Sequence, residues 1–380
     1  MNSASSSNAF RRERDALLED ARKRRIEIND LKKQVRDLQR EHDTSEHLRK
    51  ELYKLGSLTP REPEFLTSVK RRLKGSVVSV PVAFWSDWHL GEKVYRDQVG
   101  GVNEFNMRIA KARFHRLVEV TIDLAKNHMG SMQYPGFVLA LGGDMISGGI
   151  HEELRETNEG TPLQTVQFGF DLLVWGITRF ANEFGYVFVP CVVGNHGRTK
   201  HRPHAKNRAF ENYEWSLYMQ LARHFKDDKR VVFYVPDGPD APFTVLGHRF
   251  LLTHGDSLGV KGGDGIIGAI GPIVRGAIKF GRQQSVIGRD FDTLMMGHWH
   301  TYIPRGEASP VWVNGTMKGY DEFAHTFLRV PPSRPSQSLA FVHADHGITA
   351  QWQVYLEGKE KAQHADDWLR FEEARHGNAT

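Results

Sequence analysis

A chain of 380 residues with 39% hydrophobic and 26% charged side chains can bury a full-size core, and this balance excludes a disordered chain. No stretch approaches the roughly 20 apolar residues of a membrane span, and the polar opening MNSASSSNAF has no apolar core of a secretory signal. The formal net charge of +5 favours an anionic partner, and the single cysteine, Cys191, excludes an intramolecular disulfide and fits a cytoplasmic setting.

In chain order, residues 1–9 read as a tail. Residues 10–56 lack Gly and Pro up to Leu55 and read as one charged helix. A heptad register fits Leu17, Ala21, Ile28, Leu31, Val35 and Leu38, while Arg24, His42, Ser45 and Arg49 also fall on the seam, so a short, imperfect coiled coil and homo-oligomerisation through it are expected. Residues 57–75 make a linker and a basic segment. From 76 to 356 apolar runs of strand length alternate with longer amphipathic stretches, as in a layered α/β domain. The expected strands are VVSVPVAFW, GFVLALG, YVFVPCVVG, VVFYV, RFLLT, TLMMG, VWVNG and SLAFVH. Helical periodicity marks the segments from Thr161 to Phe184 and from Asn207 to Phe225. Residues 357–380 read as a peripheral helix or tail.

Five short segments carry the chemistry: Ser86-Asp87-Trp88-His89, Gly142-Gly143-Asp144, Gly194-Asn195-His196, Thr253-His254-Gly255-Asp256 and Gly297-His298-Trp299-His300. Each follows an expected strand, and in α/β sheets ligands gather beyond the carboxyl ends of the strands. Along an extended chain, residues two apart share a side, so Asp87 with His89, and His298 with His300, can face one centre while Trp88 and Trp299 turn into the packing. The preceding glycines let the backbone turn. A donor set of imidazole, carboxylate and amide oxygen without thiolate suits Mn²⁺, Zn²⁺, Fe²⁺ or Ni²⁺.

In this order the segments resemble the signature of the calcineurin-like metallophosphoesterase superfamily: D-x-H, GD, GNH followed by an acid, H, and GHxH. The resemblance implies a four-layer αββα sandwich behind the N-terminal helix and two divalent ions, with Mn²⁺ first in line. Asp87, His89 and His300 would hold the first ion, and Asn195, His254 and His298 the second. Asp144 would bridge both, and His196 would stand beside the leaving group as the catalytic acid. The departure is Gly197, where the family carries Asp or Glu; Asp256 and Glu152 are the expected substitutes.

Arg198, Lys200 and Arg202, in the acid-free loop GRTKHRPHAKNR, are the expected substrate-binding cations, able to grip a phosphate backbone. The Gly-rich stretch VKGGDGIIGAIGPIVRGAIKFGRQQ lacks P-loop spacing and reads as a flexible insertion near the site or at a subunit contact. Segment NGTMKGYDEFAHTF, with Lys318, Tyr320 and Asp321, is similar to phage-encoded members grouped with DNA-repair exonucleases, which would place the protein in a host cytoplasm. The leading expectation is a nuclease or phosphodiesterase acting on DNA. The alternatives are a hydrolase of small nucleotides or phosphomonoesters, and an interaction protein that keeps the fold.

Overall fold

The computed structural model describes residues 77–258, 270–306 and 309–358, together with Pro63 and short pieces between 19 and 33. The chain divides into two units, Met1–Thr59 and Pro60–Thr380. In the first, the described residues are helical and exposed, Ile28 and Leu31 included. The rest of the helix expected over 10–56, the heptad positions Leu17, Ala21, Val35 and Leu38, the linker apart from Pro63, Lys261 and residues 359–380 lie outside the described residues.

The second unit is mixed α/β, with two sheets and helices. Strand β1 (Val77–Trp85) is buried over all but its first residue. On one side it pairs in parallel with β3 (Phe137–Leu141), which continues in parallel to β4 (Val187–Pro190) and β5 (Val231–Tyr234); β2 (Met132–Gln133) pairs briefly with its start. On the other side it pairs antiparallel with β10 (Ser336–His343), which pairs antiparallel with β11 (Gly347–Tyr355). The smaller sheet runs β6 (Asp240–Val245), β7 (His248–Thr253), β8 (Thr293–Met296), β9 (Val311–Val313), parallel from β7 onward.

Side-chain alternation along the strands builds the core. Val80, Val82 and Phe84 of β1 join Phe243 of β6, Phe250 and Leu252 of β7, Met295 of β8 and Trp312 of β9 in one buried cluster drawn from both sheets. The intervening Trp85 turns the other way, against Phe114 of α1 (Met107–Asp123) and Phe180 of α3 (Pro162–Phe184). Likewise Leu251 and Leu294 turn from the shared cluster onto Ile273 and Ala277 of α5 (Ile270–Val286). The Gly-rich stretch is therefore, from Ile270 on, a helix packed on the smaller sheet rather than a flexible insertion. Burying Ile273 is worth about 2 kcal/mol, and together with the burial of Ala277 on the same face it counters the roughly 1 kcal/mol that each glycine in the helix costs. Residues 259–269 lie outside the described residues.

Local signals set the helix starts. Thr161 caps α3 in a reciprocal capping box with Gln164, with Pro162 at the first turn, which satisfies otherwise orphaned N–H groups. The helix expected from Asn207 starts later, as α4 (Tyr213–His224), because Asn212 is its cap and accepts from the Glu214 N–H. Short α2 (Glu152–Thr157) lies between β3 and α3. Among the described residues no helix is long and apolar enough to cross a membrane.

Candidate metal centre

All five chemistry-bearing segments lie just beyond the carboxyl ends of parallel strands: β1, β3 and β4 in the larger sheet, β7 and β8 in the smaller one. Beyond β1 and β3 the backbones stay joined: the Asp87 N–H donates to the Gly143 carbonyl (2.9 Å), His89 to Asp144 (3.0 Å) and Leu90 to Met145 (3.0 Å).

The segments are not extended there. Asp87, His89, Asp144, His298 and His300 all have positive φ, between 51° and 68°. Such left-handed conformations are uncommon for residues with a Cβ and persist only where the surroundings hold them. The sharing of one side by Asp87 and His89, and by His298 and His300, thus comes from two consecutive kinks around a tryptophan, not from strand alternation. Trp88 is fully buried against Trp85 and Phe114, and Trp299 packs beside α5, so both serve the core.

The glycines act in two ways. Gly143 has φ +86° and makes a turn that a side chain resists. At Gly194 and Gly297 the reason is space: a Cβ would lie 2.0 Å from Asp144 Oδ1 and 2.3 Å from Asp87 Oδ2, respectively.

Among the described residues three groups of donors converge, each with its ligand atoms within 4.8 Å of one another: Asp87, His89 and His300; His89, Asp144 and His196; and Asp144, His254 and His298. Asp144 belongs to two of them. His89 Nε2 and His300 Nε2 face each other at 3.0 Å, with Asp87 Oδ1 3.4 Å from the latter. His254 Nδ1 donates to the Gly142 carbonyl at 2.8 Å, which turns Nε2 toward Asp144 Oδ2 (3.1 Å) and Asn195 Oδ1 (3.0 Å). Imidazole nitrogens aimed at one another beside buried carboxylates are a donor set that fits divalent cations. The buried His89 Nδ1 has no hydrogen-bond partner and lies 3.6 Å from Glu92 Oε2.

The electrostatics express the same crowding. Burial, then Lys318, hold the His89 imidazole well below its ordinary range. Burial, then His254, push His298 down to about 4. Burial alone would raise Asp144, but His254 and His196 outweigh it and hold the carboxyl well below the usual range. His254, opposed by burial but facing Asp144, is raised to about 10.

His196 is half-buried; its N–H donates to Asp144 Oδ1 (2.7 Å) and its Nδ1 meets the Ser147 carbonyl (3.0 Å), leaving Nε2 for the reaction space. Of the two expected replacements for an acid at Gly197, neither reaches His196: Asp256 is paired with Arg208 at 2.7 Å, and Glu152 is exposed in the first turn of α2. Arg198 is largely a loop staple: its guanidinium donates to the carbonyls of Asn195 (3.1 Å), Lys200 (3.0 Å) and His201 (3.0 Å). Lys200 and Arg202 are exposed and, with Arg198, His204 and Arg208, line a recess that reaches Asn195.

Further residues support the ligands without a sequence signal of their own. Gln337, on β10 and fully buried, accepts from the Ser86 N–H and donates to the Ser86 carbonyl, while the Ser86 hydroxyl donates to Asp87 Oδ2. Buried Glu214 accepts backbone N–H groups from both the Asp144 and Asn195 loops, and burial, then the Asp144 charge, push it up to about 7. Both act through neighbours remote in sequence, which no local pattern reveals.

No protein-family model and no curated protein matches the chain. Among solved structures it is similar to wild-type Vps29 from Entamoeba histolytica complexed with Zn²⁺ (TM-score 0.30, 12% identity, 73% of this chain and 99% of that one). It is also similar to a single mutant of the same protein (TM-score 0.31, 12% identity, 72% and 98%).

Proposed function

We propose that this chain is a two-metal phosphoesterase, with DNA phosphodiester bonds as its substrate and Mn²⁺ as its first-choice ion. The observation that carries this is the convergence of donors into three linked groups, Asp87 with His89 and His300, His89 with Asp144 and His196, and Asp144 with His254 and His298, with Asn195 Oδ1 turned onto His254. A core shared by two sheets, with α1 and α3 against one and α5 against the other, supports the four-layer αββα reading.

Asp87, His89 and His300 would hold one ion, Asn195, His254 and His298 the other, and Asp144 both. Divalent ions bound there supply Lewis-acid polarisation of a phosphoryl group and acidification of water. The protein's own residues do the rest. The Ser147 carbonyl keeps a proton on His196 Nδ1 and so turns Nε2 toward the reaction space, from which a proton held there would pass to the departing alkoxide. Lys200 and Arg202 meet flanking phosphates in the recess beside Asn195, and the Arg198 staple holds that loop in shape. The half-exposed His300 leaves the centre open to a bulky polyanion.

The test is His196→Ala with Mn²⁺, assayed on linear and circular duplex, single strands and p-nitrophenyl mono- and diesters. We expect Mn²⁺ binding to persist while diester turnover falls by roughly 10²–10⁴-fold, the usual contribution of a general acid. Equal loss of metal and turnover would make His196 a ligand instead, in keeping with its place beside His89 and Asp144. A wild type that cleaves only monoesters would favour a small-nucleotide phosphatase, and inactivity on every substrate an interaction protein.

A further inference from the structure

Glu214 sits in the first turn of α4 and is fully buried. Oε1 accepts the N–H groups of Met145 (2.6 Å) and Ile146 (3.3 Å), and Oε2 accepts that of Gly194 (2.7 Å). One carboxylate thus spans two loops: Met145 directly follows Asp144, and Gly194 directly precedes Asn195. Its neighbour Asn212 adds a second tie, donating from Nδ2 to the Gly194 carbonyl at 2.8 Å.

The cost of this arrangement is a second buried carboxylate beside Asp144. An apolar residue would pack there without such a penalty, and three N–H bonds to a charged acceptor are what compensate it. Asn212 and Glu214 together explain Gly197. A Cβ at that position would lie 2.3 Å from Asn212 Oδ1, 2.8 Å from Glu214 Cγ and 3.0 Å from Glu214 Cδ. The space that a side chain following His196 would enter is already filled from α4.

We infer that Glu214 is a positioning residue of the metal centre, its carboxylate reaching from α4 under the site and locking the Asp144 and Asn195 loops at the separation the ions require. The inference rests on the two-metal reading. It explains why a carboxylate lies under the site without facing it: Glu214 acts on backbone N–H groups, and so on where the ligands stand, not on the reacting atoms. The support is directed to the Asp144–Asn195 side, whereas His196 is oriented by the Ser147 carbonyl.

The test is Mn²⁺ titration calorimetry on Glu214→Gln and on Gly197→Ala, with wild type alongside. Glutamine keeps the shape but turns an NH₂ onto one of the backbone donors; a methyl at 197 presses on both Asn212 and Glu214, the two side chains that tie the Gly194 backbone, without removing either. We expect Mn²⁺ affinity to fall about tenfold or more in each, as for other groups that orient metal ligands. The metal-free melting midpoint of Glu214→Gln should move by less than about 3 °C. Affinity within about twofold of wild type in either folded variant, a larger melting shift in Glu214→Gln, or failure of both to fold would overturn the inference in favour of a general structural role. Should wild type itself bind no Mn²⁺, the two-metal reading fails first, and the variants are not needed to show it.

Discussion

Asp144→Asn is expected to lower phosphodiester turnover by roughly 10³-fold or more, about 4 kcal/mol of transition-state stabilisation, with the fold intact. Asparagine keeps the volume of the side chain and can still accept the His196 N–H, so what is lost is one charge. That charge is the one shared between two donor groups, and it faces His254 at 3.1 Å in a site that is 1% exposed on both sides. Low exposure magnifies the loss, because water cannot replace the missing carboxylate. Steady-state rates and Mn²⁺ titration on the same preparation check the prediction. Unchanged activity would trace the hydrolysis to a contaminant, and unchanged metal affinity would remove Asp144 from its bridging place.

Lys318→Met is the largest expected effect on stability. Lys318 Nζ lies 2.8 Å from Glu92 Oε1 and 2.5 Å from Asp321 Oδ2, with all three side chains under 10% exposed. The ammonium keeps two buried carboxylates together; methionine fills the volume and leaves them facing each other unpaired. Removing one partner of a buried ionic cluster costs about 3–5 kcal/mol, and the melting midpoint should fall by roughly 6–20 °C. The pH dependence carries a definite sign. In the wild type burial would raise Asp321, but Lys318 outweighs it and holds the carboxyl below its ordinary range, so its contribution is present above that range and is lost as pH falls. Without Lys318 burial is opposed only by the Ala324 N–H and His300 and the Asp321 pKa rises relative to wild type, so the deficit of the variant grows as pH rises and shrinks toward acid. Thermal melts from pH 4 to 8 test this; a deficit independent of pH would mean that the cluster contributes through packing alone. Glu92 also faces His89 Nδ1, so weakened Mn²⁺ binding should accompany the loss.

The donor residues were legible because each is short-range in sequence: a polar cluster at the end of an apolar run, with glycine beside it. Order along the chain and residue type sufficed to name them. Their conformation was not legible. Left-handed φ at Asp87 and His89 accompanies backbone bonds to the Asp144 loop, and at His298 a bond from its N–H to Asp87 Oδ1; no pattern of two-residue alternation encodes these or the same conformation at His300. Strands β1, β3 and β8 were readable as apolar runs. Strand β6, DAPFTV, carries Asp and Pro and sits at a sheet edge; β11 is only half-buried, so neither shows a continuous apolar signal. Helix α1 hides its register behind Arg113, a charged residue on the buried face that donates to the carbonyls of Met317 and Lys318. Arg198 shows a second use that no pattern reveals. A cation in a basic loop reads as a ligand for phosphate, and three of its N–H groups are also engaged by loop carbonyls, a use that depends only on the folded turn. Glu214 carries no signal at all, since an acid in the first turn of a helix is ordinary; only the two loops it joins give it meaning.

Metal stoichiometry is the most direct test of the centre. Protein stripped with chelator, reloaded with Mn²⁺ and freed of excess should contain about two ions per chain, and Asp144→Asn prepared in parallel should contain fewer. Wild-type protein that retains no ion, or retains the same number after the substitution, would contradict the assembly of Asp87, His89, Asp144, Asn195, His254, His298 and His300 into one metal-binding site.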